Sequence, residues 1–145
     1  MTKLIILALS TITFFSAPSF ARDDVIDLPI TQALNTQDAK TKLGDNVAFY
    51  FGDQPHAVPL HTFSTIETNK KTNAFNKADS EACHRAFLSA MIALRDNALE
   101  KGGNAIVDIK SNYKNNLTTN NETFQCGAGN LMAGVALTGT VVIIK

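Results

Sequence analysis

The fold is decided by residues 79–110, which read DSEACHRAFLSAMIALRDNALEK and then GGNAIVDIK. Apolar side chains recur there at three- and four-residue steps, which predicts an amphipathic helix over Asp79–Lys101 with one core-facing stripe. Asp79 or Ser80 can cap the helix, and Glu81 lies in the first turn, where the helix dipole stabilises negative charge. The two glycines after Lys101 predict the helix end, and the remaining residues predict a strand.

The segments on both sides of this unit predict three more strands. Runs rich in β-branched and aromatic residues indicate strands at 47–51 and 62–68, and the apolar stretch 131–144 indicates the last one. Pro29 and Gly44 bracket one or two short helices. The polar segments are predicted to be irregular: a loose arm (22–27), a loop (54–60), a turn (69–76) and an exposed loop (112–121).

This order of elements predicts an α+β domain. We expect a mainly antiparallel sheet with one long covering helix, a ββαββ-like arrangement, and a short helical N-terminal lead-in. A chain of 145 residues is short enough for a single domain. The predicted organisation is a signal peptide (1–21) and one domain (22–145), with an arm and short helices over 22–45 and the core over 46–145.

The N-terminal segment has the layout of a secretory signal peptide. Lys3 precedes an apolar run from Leu4 to Phe15, and small residues stand at Ser19 and Ala21. The run is shorter than the roughly 20 residues that span a bilayer. We therefore expect cleavage between Ala21 and Arg22 and a periplasmic or secreted product. No cysteine follows the apolar run, so we expect no lipid anchor.

The charge balance narrows the classes of partner. Loss of Lys3 from the 13 basic residues leaves 12 against 13 acidic ones, a net charge of −1. The basic residues are scattered along the chain, with Lys70 and Lys71 as the only adjacent pair. Neither nucleic acid nor a membrane is therefore an expected partner. The partners that stay open are another envelope protein and a second copy of this chain.

Cys83 and Cys126 are the only cysteines, and in an exported protein they are most simply a disulfide. Their bond would stabilise the fold by about 4 kcal/mol in the chain-entropy model. A catalytic thiol and a metal ligand are the alternatives. His84 follows Cys83, but neighbours on a helix point about 100° apart, so this histidine is badly placed as a base.

The histidines His56, His61 and His84 are weak candidates for a zinc or copper site. The chain has no CxxC or HExxH spacing, and exposed loop histidines explain the first two equally well. No cofactor is predicted. The glycines of 127–134 look like a dinucleotide fingerprint, yet they precede a strand and open no helix. We interpret 127–129 as a tight backbone turn beside Cys126.

Three features carry a resemblance to a known family: the alanine-rich helix, the GGNAIV step into a strand (102–107) and the closing GTVV strand (139–142). With them the chain resembles the YbjQ-like group over roughly 47–145. That group includes domains with a heavy-metal-binding label and the lipoprotein sensor of the Rcs envelope-stress system. Closer similarity is to short exported bacterial proteins that have KTNAF (71–75), CHRAFLSA (83–90) and CGAG (126–129). Some of those proteins have an excinuclease ATPase subunit name.

The resemblance implies a ββαββ-type domain and, in the YbjQ branch, an oligomer. Membrane tethering and the sensor's signalling partners do not carry over. The stress sensor has a lipidated cysteine and two disulfides, whereas this chain has no predicted lipid site and only one possible disulfide. The excinuclease name does not fit a chain without a phosphate-binding loop or CxxC pairs.

The sequence therefore favours a non-enzymatic envelope protein, a binding or stress-related module. It lacks a recognisable nucleophile or acid–base set. Enzymatic activity is therefore left open but is not favoured. One alternative is a metal-binding module that uses the loop histidines. The other is a hydrolase-type enzyme with its site at the 54–61 loop and the 127–129 turn.

Overall fold

The computed structural model describes residues 21–145, so the predicted signal peptide lies outside the described residues except for Ala21. In the described part, 42% of residues are in strands and 28% in helices. The elements in chain order are β1 (Asp24–Pro29), α1 (Ile30–Leu34), α2 (Gln37–Leu43), β2 (Ala48–Phe51), β3 (His61–Asn73), α3 (Asp79–Lys101), β4 (Ala105–Tyr113), β5 (Asn116–Thr118), β6 (Thr123–Ala128) and β7 (Met132–Ile143).

The seven strands form one curled mixed sheet around β7. Its main path runs β1–β6–β7–β4–β2, while β3 pairs with β7 and β5 pairs with β4. Strand β3 pairs with one edge of β7 along its length. Strands β6 and β4 pair with successive parts of the other edge. The pairing of β2 with β4 is parallel and all the other pairings are antiparallel.

The predicted fold class, a ββαββ-like sheet under one covering helix, is wrong. The sheet has seven strands, is mixed and curls, and three helices accompany it. The predicted loose arm over 22–27 contains β1, which pairs with β6 across nearly a hundred residues of sequence. Its acidic residues are exposed, and such a strand exists because of long-range backbone pairing, which sequence periodicity does not report.

Two further polar segments were also assigned wrongly as irregular. The residues predicted as a turn after Thr68 continue β3 as far as Asn73, because β7 offers a full-length partner. The predicted exposed loop over 112–121 contains β5, which folds back on β4 through Lys114 and Asn115. Both turn residues have positive φ, at 51° and 62°, the backbone geometry of a two-residue hairpin.

Helix α3 packs against the sheet and contributes nine buried residues to the core. Its sheet-facing alanines are fully buried, so the helix lies close to β7 and β3. The Phe87 ring stacks on Phe124 of β6 with the ring centroids 4.1 Å apart. The helix ends at Gly102, where φ is 82° and glycine avoids the strain of a left-handed residue. None of the helices described after residue 20 is long and apolar enough to cross a membrane.

The Sγ atoms of Cys83 and Cys126 lie at disulfide-bond distance, consistent with the predicted bond. Both residues are fully buried, and their contact joins the first turns of α3 to β6.

Candidate ligand-binding cleft

An open cleft of about 690 Å³ lies where the described chain begins. One wall is formed by Ala21, Arg22 and Asp23, and the other by the turn between β6 and β7. The floor is the sheet itself, where Gly127 of β6 faces Gly134 of β7 as a direct cross-strand pair. The predicted cleavage site, Ala21–Arg22, therefore lies at the rim of this cleft.

Tyr113, the last residue of β4, lies across the two floor glycines. A Cβ atom placed on Gly127 would come within 1.9 Å of the Tyr113 hydroxyl oxygen and 2.1 Å of Cζ. A Cβ atom on Gly134 would be 3.7 Å from Cε2, an ordinary contact. The ring can therefore lie against the sheet only because residue 127 has no side chain. This close approach explains Gly127. Its predicted place in a tight turn is wrong, because it lies within β6.

The Tyr113 hydroxyl belongs to a small charged network on the N-terminal wall. It donates a hydrogen bond of 3.0 Å to Oδ1 of Asp23, and Lys114 forms an ion pair with Oδ2 of the same carboxylate. The Lys114 Nζ atom also lies 5.5 Å from the centre of the Tyr113 ring, within cation–π range. The aromatic ring and hydroxyl of Tyr113 and the ammonium group of Lys114 therefore lie together at this wall.

This network fixes the protonation of its members. The hydrogen bonds from Lys114 and Tyr113 lower the pKa of Asp23, and the bond to Asp23 raises the pKa of Lys114. Burial raises the pKa of Tyr113, and the hydrogen bond to the Asp23 carboxylate raises it further. At neutral pH the wall therefore carries an ionised carboxylate, an ammonium group and a protonated phenol.

The remaining cations of the cleft differ in how far they are neutralised. Arg22 forms ion pairs with Asp24, at 2.6 Å, and with Asp79. Lys71 of β3 lies directly opposite Gly134, and its Cγ would be 3.5 Å from a Cβ placed there. Lys71 has no ion-pair partner in residues 21–145. Its ammonium group is therefore the cation at this cleft that a ligand could neutralise.

Apolar side chains are exposed next to these cations. Leu131 and Met132, in and beside the β6–β7 turn, are 64% and 49% exposed although both are apolar. The exposed Phe75 lines a smaller adjoining concavity, which shares Arg22 and Leu131 with the main cleft. Apolar groups that cluster around a concave, partly charged surface are typical of binding sites.

The structure places the three candidate histidines in three different surroundings. His56 is exposed in the loop after β2, where its ring lies 5.4 Å from that of Tyr50. His61 begins β3 and contacts Phe63 edge-on. His84 lies half-buried on α3 beside Phe124, and its Nε2 atom is buried without a hydrogen-bond partner. Among the residues that the structure describes, no group of three or more His, Cys, Asp or Glu side chains is placed to hold a metal ion.

The two halves of the suggested hydrolase site do not meet. Gly127 pairs with Gly134 near the start of β7, while Leu60 in the 54–61 loop donates its backbone N–H to Ile143 at the other end. At about 3.3 Å per residue these points are roughly 30 Å apart along β7. The predicted combination of that loop with the 127–129 segment is therefore not formed.

The sequence does not identify the residues that make the cleft. Tyr113 and Lys114 lie in the segment predicted to be an exposed loop, and Asp23 lies in the predicted loose arm. A usable signal was present, because isolated glycines in strand-like patterns mark places where another group approaches the backbone closely. Gly127 and Gly134 are such glycines, although the sequence alone does not name the ring that covers them.

Comparison of the chain with protein-family models, with curated proteins and with solved structures gives no match to any of them.

Proposed function

We propose that this chain is an exported, periplasmic binding protein without enzymatic activity, and that its ligand occupies the cleft beside Tyr113. Two features support export. The segment before Arg22 has the pattern of a cleaved signal peptide. The Cys83–Cys126 pair at disulfide distance suggests an oxidising, extracytoplasmic environment. The YbjQ-like resemblance, and with it a stress-related role, belongs to the same proposal.

The observation that carries the binding role is the position of Lys71. Its ammonium group has no ion-pair partner in the described chain. Its side chain lines the cleft, with Cγ next to Gly134, together with the exposed Leu131 and Met132. An anionic group would neutralise this charge, and an apolar portion would cover the two apolar side chains. The proposed ligand is therefore an amphiphilic anion, a carboxylate or sulfonate attached to an apolar body.

The predicted cleavage strengthens this electrostatic argument. Removal of residues 1–21 would turn the Arg22 backbone nitrogen into an α-ammonium group at the rim of the cleft. Such a group is mostly protonated near neutral pH, since its ordinary pKa is about 7.7 to 8.0. The mature chain would therefore have a more positive cleft than the precursor, and we expect it to bind an anionic ligand more tightly.

The state of the titratable groups supports binding over catalysis. A general base needs a pKa near the working pH, together with a proton to abstract nearby. The pKa of Asp23 is lowered by its two donors, which makes it a weak base, and the pKa of Tyr113 is raised, which keeps the phenol protonated. Neither group is therefore suited to transferring a proton at neutral pH.

The test begins with protein recovered from the periplasm, whose N-terminal sequence should start at Arg22. Anilinonaphthalene sulfonate, an anion with an apolar aromatic body, serves as a fluorescent probe, and decanoate serves as its competitor. We expect saturable binding to the folded protein that Lys71→Gln weakens about five- to tenfold, since one charge-assisted contact is lost.

Lys70→Gln is the matched control, because Lys70 is the neighbouring exposed lysine on the opposite face of β3. It should leave probe affinity unchanged. Equal affinity in the wild-type and Lys71→Gln proteins, or a cytoplasmic protein that still begins at Met1, would contradict the proposal.

A further inference from the structure

The longest strand that pairs on one side only is β3. One of its edges is hydrogen-bonded to β7, and no other strand of residues 21–145 pairs with it. The ladder is irregular between Thr62 and Thr65 and regular from Thr65 to Asn73. A regular, unpaired edge of this length is a template for another strand, and natural proteins usually block such an edge.

We propose that this edge pairs with the same edge of a second copy of the chain, antiparallel and two-fold symmetric, with Asn69 on the axis. In an antiparallel ladder, two directly opposite residues either both point their N–H and C=O groups towards the partner strand or both point them away. Consecutive residues alternate between these two orientations, so residue i cannot face residue i+1 of an identical strand. A two-fold axis must therefore pass between two copies of the same residue. Asn69 is the middle of the regular segment. Centring there pairs the segment over its full length, with Thr65 opposite Asn73.

The charges on β3 select the same register. Glu67 and Lys71 project from the same face of the sheet as Asn69, because side chains alternate along a strand. Centring on Asn69 places Glu67 of each copy opposite Lys71 of the other, which gives two cross-strand ion pairs. Neither residue has an ion-pair partner within the described part of its own chain.

The other registers lack these pairs or place like charges together. Centring on Glu67, Lys70 or Lys71 puts that residue opposite itself, and like charges directly opposite each other are destabilising. Centring on Thr68 gives no charged pair. Like charges therefore oppose three of these four registers, and among the five only the Asn69-centred pairing forms pairs of opposite charge.

A cysteine cross-link tests the register directly. In the proposed dimer the two copies of residue 69 lie across the axis with Cα atoms about 4.5 to 5.5 Å apart, within the range for a disulfide. Purified Asn69→Cys protein should therefore form a disulfide-linked dimer on mild oxidation. Glu67→Cys is the matched control, because the two copies of residue 67 lie four positions apart along the ladder, about 13 Å, and should not cross-link.

Charge exchange tests the energetics, with sedimentation equilibrium as the readout and no ligand present. We expect a reversible dimer that Glu67→Lys weakens about tenfold or more, because two attractive pairs become repulsive. Adding Lys71→Glu to that variant should restore dimerisation, because the pairs re-form with exchanged signs. A wild-type protein that stays monomeric at millimolar concentration, or a Glu67→Cys protein that cross-links as well as Asn69→Cys, overturns the inference. Neither result refutes the proposed ligand binding, because Lys71 can bind an anion whether or not a second copy is present.

Discussion

The contact between Tyr113 and the glycine floor predicts that two paired glycines respond oppositely to the same substitution. Gly127→Ala would bring the new methyl group to 1.9 Å from the Tyr113 hydroxyl oxygen, so the ring must leave its place. Gly134→Ala would bring its methyl group to 3.5 Å from Lys71 Cγ and 3.7 Å from Tyr113 Cε2, which is normal packing. Neither glycine has positive φ, so alanine suits both backbones.

The expected magnitudes follow from two opposing contributions to the free energy of unfolding. Overpacking a well-packed position costs about 1 to 3 kcal/mol. Replacing a strand glycine by alanine gains roughly 0.5 to 1 kcal/mol from reduced backbone freedom in the unfolded chain. We therefore expect Gly127→Ala to destabilise the protein by about 1 to 2 kcal/mol. Gly134→Ala should be neutral or slightly stabilising.

Urea denaturation of the oxidised protein measures both values, and a double-mutant cycle identifies the cause. In a Tyr113→Ala background the obstruction is gone, so Gly127→Ala should become neutral or stabilising, a coupling of about 2 kcal/mol. If the two alanine variants have the same stability, or if the Gly127→Ala cost persists without the ring, then Tyr113 does not lie on Gly127 and the cleft geometry is wrong.

Two further predictions concern the core. Replacing both Cys83 and Cys126 by alanine should lower the free energy of unfolding by about 4 kcal/mol, and dithiothreitol should do the same to the wild-type protein but not to the variant. Burial lowers the pKa of His84 in the folded protein, so the unfolded chain takes up its proton at higher pH than the folded protein does. The buried, neutral His84 therefore costs no stability above about pH 6.5. The free energy of unfolding falls as the pH drops from there towards the pKa of His84 in the folded protein. His84→Gln should reduce the loss of stability on acidification, measured by urea denaturation at several pH values.

The elements that the sequence predicts well are those whose patterns have a local cause. Helix α3 has an apolar stripe, acidic residues in its first turn and a glycine after its last residue, and it spans Asp79–Lys101 as expected. β1 and the end of β3 have no such pattern, because they are edge segments whose side chains are mostly exposed. Their strand structure comes from β6 and β7, which contribute the partner hydrogen bonds from distant parts of the chain.

The cleft could not be predicted for the same reason. Tyr113, Asp23 and Lys71 come from three separate segments, and each is unremarkable among its sequence neighbours. They meet because the curled sheet brings the ends of β3 and β4 and the residues before β1 to one pair of glycines. Only the glycines carried a sequence signal, and that signal reports close approach without identifying the group that approaches.

Lys71 links the two proposals, because an anionic ligand and Glu67 of a second copy would compete for the same ammonium group. Its side chain passes over Gly134 into the cleft, while its backbone belongs to the free edge of β3. If both proposals hold, ligand binding must weaken the dimer by the same factor by which dimerisation weakens ligand binding, since coupling between two equilibria is reciprocal. A saturating anionic probe should then shift sedimentation towards the monomer. An uncharged probe of similar size, which leaves Lys71 to Glu67, should not.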